Sequence, residues 1–159
     1  MDPPWPEKGG GKIKRGADRH YPVMSTLQII QTILACPMWH PAADAHCWCW
    51  VTDNYLRAGL TILDVIGFRY VRTMVWNKPR IGLGQYLRGK HEICLFAVRG
   101  RLPAQRRDQQ SSFDAPLGRH SEKPARAYEI IEAVGPGPRL EMFARQPREG
   151  WDVWGNEVT

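Results

Sequence analysis

The sequence predicts an α/β fold with a mostly parallel sheet, and three observations point to it. Segments in which apolar residues recur with a helical period alternate with short runs rich in β-branched, aromatic and Cys residues. Gly and Pro residues separate these segments. The chain has 159 residues, 43% of them hydrophobic, which is enough for a single domain over 1–159 with a buried core. Alternation of this kind is typical of layered proteins with helices on both faces of the sheet.

Local signals set the limits of three predicted helices. Ser25 and Gln28 form a capping box, so a helix begins there. Asp53 is a candidate N-cap for the second helix, which Gly67 ends. In the third helix Pro124 fits in the first turn, and a Gly-Pro repeat stops the helix. The predicted helices span about 25–35, 53–66 and 121–134.

Four strands are predicted between and after the helices. The strands at 68–76 and 92–98 have no helix between them, so we expect them to form one antiparallel pair at an edge of the sheet. The others are separated by helices, and parallel pairing is expected for them. The predicted strands span 46–51, 68–76, 92–98 and 139–144.

Positive charge is concentrated in two segments of a chain whose net charge is +6. Residues 6–20 carry five basic and two acidic side chains, as do residues 99–119, so each segment contributes +3. Both are poor in apolar residues and are interpreted as basic mobile loops. Two such loops on a neutral body are suited to binding a polyanion such as nucleic acid. Solvated loop charge with no ligand is the alternative.

Several classes of protein are excluded or disfavoured. No run of about 18 apolar residues and no signal peptide is found, so we expect no membrane association. The four cysteines form no C-x-x-C pair, which favours reduced, buried thiols in a cytoplasmic protein. A zinc site near Cys47 and Cys49, using His40 or His46, is the disfavoured alternative, and no metal is expected.

The motif Asp2-Pro3-Pro4-Trp5 is suited to holding a planar base that carries an exocyclic amine. The Asp2 carboxylate and the carbonyl of Pro3 can accept hydrogen bonds from such an amine. Proline fixes the backbone, and the Trp5 ring can stack on a base. An ordinary proline turn with an aromatic anchor is the alternative on these four residues alone.

Six blocks together carry a resemblance to a known family. The chain resembles the S-adenosylmethionine-dependent adenine-N6 methyltransferases of the Asp-Pro-Pro-Trp class, the MT-A type, in a bacterial or phage-like form. The resemblance covers nearly the whole chain. The matching blocks are Asp2-Pro3-Pro4-Trp5, Tyr21-Pro22-x-Met24, Gly89-Lys90-His91-Glu92, His120-Ser121-x-Lys123-Pro124 with Tyr128, Leu140-Glu141-x-Phe143-Ala144-Arg145, and Gly150-Trp151 with Trp154-Gly155-Asn156-Glu157.

The resemblance implies a Rossmann-like methyltransferase fold and a role for each part of the tetrapeptide. Asp2 would hold the amino group of the cofactor, the target N6, or both. The Pro3 and Pro4 backbone and the Trp5 ring would frame the target adenine. Tyr21 would help to close over the base. These groups would lie at the carboxyl ends of parallel strands, where ligands bind in open α/β sheets.

The resemblance also implies a set of cofactor-binding residues. Lys90 would pair with the methionine carboxylate of S-adenosylmethionine. Phe143 and Arg145, at the end of the last predicted strand, would line the cofactor pocket. Asn156 and Glu157 would bind its ribose or adenine.

One departure from the family concerns the beginning of the chain. Family members place a strand before the tetrapeptide, and here only Met1 precedes it, so we expect a shortened member whose first strand is missing. The implied function is methyl transfer to adenine N6 in DNA. RNA methylation, or a catalytically impaired member that binds nucleic acid as a scaffold, is the alternative. A homodimer or a heterodimer is compatible with the resemblance.

Overall fold

The structure is a computed structural model that describes residues 1–6, 23–82, 86–118, 122–156 and 158. Within these ranges helices and strands alternate along much of the chain. In chain order the elements are α1 (Thr26–Ala35), β1 (Ala45–Val51), a 3-10 turn (Asp53–Tyr55), α2 (Leu56–Val65), β2 (Arg69–Asn77), β3 (His91–Arg99), β4 (Ser112–Asp114), α3 (Ala125–Val134), β5 (Leu140–Met142) and β6 (Asp152–Trp154).

The capping box and the glycine stop are confirmed. The backbone N–H of Gln28 donates to Ser25 Oγ over 3.3 Å, and the N–H of Ser25 donates to Gln28 Oε1 over 2.8 Å. Gly67 follows α2 with a φ of 84°, a conformation that a glycine adopts at little cost.

The predicted Asp53 cap is wrong. A 3-10 turn precedes α2, and Asp53 makes no capping hydrogen bond there. Its carboxylate instead lies 3.3 Å from His91 Nε2. The third predicted helix starts later than expected, because α3 begins at Ala125 with Pro124 in the N-cap position.

Four strands form the larger sheet in the order β1-β3-β2-β4. β3 is antiparallel to both β1 and β2, and β4 is parallel to β2, so β1, β2 and β4 run in one direction and only β3 is reversed. The mostly parallel direction and the antiparallel pair of β2 and β3 are therefore confirmed. The parallel pairing expected for the strand at 46–51 is wrong, because β1 also pairs antiparallel with β3. The predicted edge position of that pair is wrong, because β1 and β4 flank it on either side.

Helices cover both faces of this sheet, as predicted. Side chains of α1 and α2, such as Ile33 and Ile62, pack with Cys49 and Leu95 in one apolar cluster. On the opposite face α3 packs against Trp50 and the neighbouring Met74, Trp76 and Cys94. The period of two along a strand explains this division, since adjacent residues point to opposite faces.

Two short strands were missed by the sequence analysis. β4 lies within the segment 99–119 that was interpreted as a loop, and β6 lies in the C-terminal segment. Each has three residues and is paired in parallel with a partner distant in the chain, β2 or β5. Runs this short show no alternation that sequence reasoning could detect.

Met1 and Asp2 connect the larger sheet with the two-stranded sheet of β5 and β6. The N-terminal amine of Met1 donates to Trp48 O over 2.8 Å, and Trp50 N–H donates to Met1 O over 3.0 Å. The N–H of Asp2 donates to Met142 O over 3.4 Å. The beginning of the chain thus lies between β1 and β5 and makes backbone hydrogen bonds to both.

Candidate active site

The Asp2 carboxylate forms an ion pair with the buried side chain of Lys123, near the beginning of β3. Lys123 Nζ lies 2.8 Å from Asp2 Oδ2 and 3.1 Å from Glu92 Oε2. Glu92 also forms an ion pair with Lys78. The Lys123 side chain is 9% exposed, whereas Asp2 and Glu92 are 22% and 23% exposed. We call these three residues the Asp2–Lys123–Glu92 cluster.

Three separate parts of the fold bring this cluster together. Asp2 is positioned by the backbone hydrogen bond to the last residue of β5. Glu92 lies near the start of β3, and Lys123 lies two residues before α3. The Lys123 ammonium also lies 5.2 Å from the centre of the Trp50 ring, a distance at which a cation is attracted to the aromatic face.

The charges within the cluster stabilise one another. Burial by itself lowers the pKa of Lys123, but the carboxylates of Asp2 and Glu92 more than offset this, so the pKa is raised well above its ordinary value. For Glu92, burial acts to raise the pKa, and the ammonium groups of Lys123 and Lys78 reverse the effect and lower it. Lys123 and Glu92 are therefore both charged at neutral pH.

The backbone of the tetrapeptide forms a tight turn. The N–H of Trp5 donates to Pro3 O over 2.9 Å, and the N–H of Met24 donates to Pro4 O over 2.9 Å. Pro3 is buried. A carbonyl oxygen has two lone pairs, so Pro3 O retains capacity for one more donor.

Trp5 is a buried anchor in the described structure. Its ring is 4% exposed, and Nε1 donates to Trp50 O over 3.0 Å. Tyr55 stacks on it with ring centroids 5.3 Å apart and an angle of 22° between the planes. Trp5 therefore acts as an aromatic anchor of the turn, which was the alternative considered from the sequence. Its contact with a target base stays a prediction.

The residues predicted to bind the cofactor differ in backbone conformation and in exposure. Phe143 follows β5 and has a φ of 63°, an unusual conformation for a residue with a side chain. Lys90 and Asn156 are exposed, and Arg145 is half-buried. Tyr21 and Glu157, two further predicted site residues, lie outside the described residues.

Asp2, Phe143 and Asn156 come to the same end of the two sheets. Phe143 directly follows the residue whose carbonyl accepts from Asp2, and its ring contacts Trp154 at a centroid distance of 6.3 Å. β6 runs parallel to β5 and ends just before Asn156. Gly155 permits this arrangement, because a Cβ there would lie 2.2 Å from Ala144 O.

Sequence reasoning assigned no role to Glu92 or Lys123, although both lie in blocks that carried the resemblance. Nothing in their local sequence indicates that they meet, since Glu92 is the second residue of β3 and Lys123 precedes α3. Their position beside the Asp2 carboxylate is a property of the tertiary structure.

The cysteines are free and buried. Burial raises the pKa of the Cys47 thiol to about 11, so this thiol stays protonated at neutral pH. Among the described residues no group of His, Cys, Asp and Glu side chains is arranged to hold a metal ion. In the same ranges each α-helix has ten residues, and none is long enough to cross a bilayer.

Comparison with known proteins identifies the family. The MT-A70 family model matches residues 1–157, nearly the whole chain. The chain belongs to the MT-A70 family. The six matching blocks and the α/β fold agree with this membership, so the resemblance stated from the sequence is confirmed.

Individual relatives have names that refer to methyltransferases. The chain is 30% identical to the type II methyltransferase M.MunI of Mycoplasma sp, over 74% of this chain and 52% of that protein. It is 28% identical to a putative N(6)-adenosine-methyltransferase MT-A70-like protein of Medicago truncatula, over 75% and 22%. It is 30% identical to the human N(6)-adenosine-methyltransferase catalytic subunit METTL3, over 72% and 22%. The matched region spans about half of the first relative and about a fifth of the others.

Proposed function

We propose that this chain transfers a methyl group from S-adenosylmethionine to the N6 amine of adenine in a nucleic acid, with DNA as the favoured acceptor. The observation that carries the proposal is the Asp2 carboxylate of the tetrapeptide, held 2.8 Å from the buried Lys123 ammonium at the sheet edge. Membership of a family whose relatives are named as methyltransferases supports it.

The residues around Asp2 match the chemistry of S-adenosylmethionine. The cofactor has an amino acid end with an ammonium and a carboxylate, and it has an adenosine end. Asp2 offers an acceptor for the ammonium, and Lys90 offers a cation for the carboxylate. Phe143 offers an aromatic face for the adenine, with Arg145 beside it. Asn156 and Glu157 offer partners for the ribose hydroxyls or the base.

When bound, the cofactor supplies an electrophilic methyl group, and the residues of the chain position the acceptor amine. The lone pair of an adenine N6 amine is delocalised into the ring, so acceptors must draw the amine out of conjugation. Asp2 Oδ2 accepts from the Lys123 ammonium. The other carboxylate oxygen can accept a hydrogen bond from the N6 amine of the target adenine. The rigid Pro3 carbonyl supplies a second acceptor.

The amine would take the methyl group with the neutral thioether of the spent cofactor as the leaving group, and it would release one proton to water afterwards. No general base is required before the transfer, so positioning and electrostatics contribute most of the rate. In this scheme Trp5 fixes the turn through its bond to β1, and stacking on the target base is a further proposed role. Lys123 fixes the position of the Asp2 carboxylate, so its oxygen is already placed to accept a hydrogen bond from the target amine.

We favour DNA because the chain has similarity to a relative named as a type II methyltransferase. The relatives named as N(6)-adenosine-methyltransferases make RNA the alternative. The basic segments 6–20 and 99–119 would bind phosphates of either polymer and carry no sequence information themselves. The target base would be single-stranded or swung out of the stack.

The test is transfer of tritiated methyl from S-adenosylmethionine to matched adenine-containing DNA and RNA oligonucleotides. Asp2→Asn should reduce transfer by about a hundredfold or more, because one charged acceptor of the amine is lost. Asp64→Asn is the matched control, since Asp64 is an exposed carboxylate on α2, and it should leave transfer unchanged. Thermal melting of both variants separates lost chemistry from lost folding.

Three results would change the proposal. Transfer to RNA with none to DNA would replace the favoured acceptor. Oligonucleotide binding by the wild type without transfer to either polymer would support the scaffold alternative. Full activity of a folded Asp2→Asn protein would contradict the role of the carboxylate.

A further inference from the structure

The connection between β2 and β3 carries the two most exposed large apolar side chains among the described residues. Tyr86 is 100% exposed, and the adjacent Leu87 is 89% exposed. Side chains held almost wholly in water contribute little packing energy to this chain, and their burial against a ligand would be favourable. Residues 83–85 of the connection lie outside the described residues. We call the two exposed side chains the Tyr86–Leu87 pair.

Backbone hydrogen bonds hold this connection as a narrow projection. The N–H of Lys78 donates to Lys90 O over 2.8 Å, just beyond the last paired residues of the two strands. Farther out, the N–H of Gly82 donates to Gly89 O over 2.7 Å, and Arg88 Nε donates to Gly82 O over 3.0 Å. The two arms thus stay together up to these glycines, and the exposed apolar pair lies beyond them. We call residues 78–82 and 86–90 the β2–β3 projection.

Positive charge accompanies the Tyr86–Leu87 pair. Residues 78–90 include four basic side chains and no Asp or Glu. Arg80 and Arg88 are exposed. The bond to Gly82 O uses the Nε–H group of Arg88, so the planar end of the guanidinium can still bind a phosphate. The charge of the projection is therefore complementary to a polyanion.

The projection begins at the candidate active site. Lys78 at its base forms an ion pair with Glu92 of the Asp2–Lys123–Glu92 cluster. Leu87 lies five residues before Glu92 in the sequence, so even a fully extended chain places the two at most about 18 Å apart. Since adjacent bases of a DNA strand are about 3.4 Å apart, this distance corresponds to about five base steps. A nucleic acid whose target adenine lies beside Asp2 would pass within reach of the projection.

The exposed apolar pair and the flanking cations are suited to opening a duplex. An adenine that leaves a duplex for an active site loses its stacking and pairing, and this costs free energy. Apolar side chains inserted between base steps stabilise unstacked duplexes in proteins that kink DNA, and an aromatic ring can stack on the exposed face of a base. Basic side chains beside such a wedge fix its position through phosphates.

We propose that the β2–β3 projection inserts the Tyr86–Leu87 pair into double-stranded DNA beside the target adenine, while Arg80 and Arg88 bind the flanking phosphates. The inserted pair takes the place of lost stacking and stabilises the state in which the base is swung out. This inference rests on the proposed function and adds a distinction between acceptors. A paired adenine depends on the projection, whereas an adenine in a single strand does not.

The first test uses the full chain and random-sequence DNA, as a duplex and as the corresponding single strand. 2-Aminopurine replaces part of the adenines, and its fluorescence rises when it is unstacked, so it reports opening independently of methyl transfer. The variant carries Tyr86→Ser and Leu87→Ser. The matched control carries Leu27→Ser and Leu34→Ser, which replace exposed apolar side chains of α1.

The variant without the Tyr86–Leu87 pair should lose most of the fluorescence rise on duplex DNA. Its methyl transfer to the duplex should fall by about tenfold or more, because the cost of opening is no longer offset. Transfer to the single strand should change by less than about threefold, since the bases there are already accessible. The α1 control should match the wild type on both forms of DNA.

The second test concerns the two arginines. One variant carries Arg80→Gln and Arg88→Gln, and its control carries Arg57→Gln and Arg69→Gln at exposed positions of α2 and β2. The Kd for the duplex is measured at several salt concentrations. Loss of two phosphate contacts should lower the slope of log Kd against log salt concentration by about 1.8, whereas the control should keep the slope of the wild type.

Any of four results would overturn the proposal. The first is a wild type that does not bind the duplex or binds it without a fluorescence rise. The second is an equal rise in the wild type and in the variant without the Tyr86–Leu87 pair. The third is an unchanged salt slope in the Arg80 and Arg88 variant. The fourth is a dimer in sedimentation that the serine variant abolishes while its DNA binding and opening are unchanged, which would assign the pair to a second copy of the chain.

The two readouts separate this inference from the proposed function. A fluorescence rise that depends on the Tyr86–Leu87 pair, without methyl transfer to any oligonucleotide, would contradict the proposed chemistry and support the projection as a wedge. Methyl transfer to the duplex at the same rate with and without the pair would support the chemistry and overturn the wedge.

Discussion

The two sides of Met1–Asp2 differ in how their polar groups are satisfied. On one side the Asp2–Lys123–Glu92 cluster pairs each charge with an opposite charge at 2.8 or 3.1 Å. On the other side lies a groove of about 360 Å³ between β1 and β5, which we call the β1–β5 groove. The Nδ1 atom of His46, which lines this groove, is buried and lacks a hydrogen-bond partner among the described residues. Each charge of the cluster thus has a partner of opposite sign among the described residues, whereas the buried imidazole beside the groove has none there.

This difference indicates that the charge pairing of Asp2 and the packing beside Met1 can be changed independently. Side-chain charges hold the Asp2 carboxylate, and backbone pairing holds the segment from which it projects. A substitution in the cluster should therefore change how the free energy of unfolding depends on charge and pH. A substitution beside the groove should change the packing of apolar side chains.

The largest effect is expected from Lys123→Met, which removes the cation from the cluster. Asp2 and Glu92 would remain partly buried without their shared partner, and the free energy of unfolding should fall by about 3–5 kcal/mol. Urea denaturation measures this. Arg126→Met is the control, because its pair with Glu129 is exposed and should contribute less than about 1 kcal/mol. A loss at Lys123 no larger than this control would mean that water screens the cluster.

A matched pair of isoleucines tests the difference in packing. Ile62 of α2 is 0% exposed in the closed core, and Ile131 of α3 is 8% exposed and borders the groove. Ile62→Ala should cost about 4 kcal/mol, and Ile131→Ala about 2 kcal/mol, because fewer contacts are lost beside an existing opening. Chemical denaturation of both variants measures the difference. Equal losses would contradict an open groove beside α3.

The pH dependence of stability tests the charges of the cluster. Because the pKa of Glu92 is lowered in the folded protein, its contribution is present above its ordinary value of 4.5 and is lost as the pH falls through the folded pKa. The pKa of Lys123 is raised, so its contribution is present below 10.5 and is lost at higher pH.

Comparison of wild type and Glu92→Gln by denaturation at several pH values measures this effect. The stability difference between the two proteins should be largest near neutral pH and should shrink on acidification. A difference that does not change with pH would show that Glu92 acts through packing alone.

The smallest effect on stability is expected from Lys90→Ala. Lys90 is exposed, so the free energy of unfolding should change by less than about 0.5 kcal/mol. If Lys90 pairs with the carboxylate of S-adenosylmethionine, the Kd for the cofactor should rise by about tenfold, the range of one charge-assisted hydrogen bond. Calorimetry measures the Kd, and Arg57→Ala on the exposed side of α2 is the control. An unchanged Kd would remove Lys90 from the cofactor site.

Local signals predicted the elements whose limits depend on neighbouring residues. The capping box at Ser25 and Gln28 and the stop at Gly67 were correct, since each is a hydrogen bond or a backbone conformation within a few residues. The Asp53 cap failed because the side chain lies beside His91, a residue distant in the chain. The strands β4 and β6 were missed for the same reason, since each is defined by its pairing with another strand and not by its own three residues.

The sequence by itself determined the α/β class, the antiparallel pair, the family and the tetrapeptide, because periodicity and motifs are written in neighbouring residues. The tertiary structure decided that β3 lies inside the sheet and that Lys123 joins Asp2 to Glu92. It also decided that Met1 pairs with β1 as a residue of a parallel strand at the end of a groove. These features depend on groups that are far apart in the chain, and only packing brings such groups within hydrogen-bonding distance.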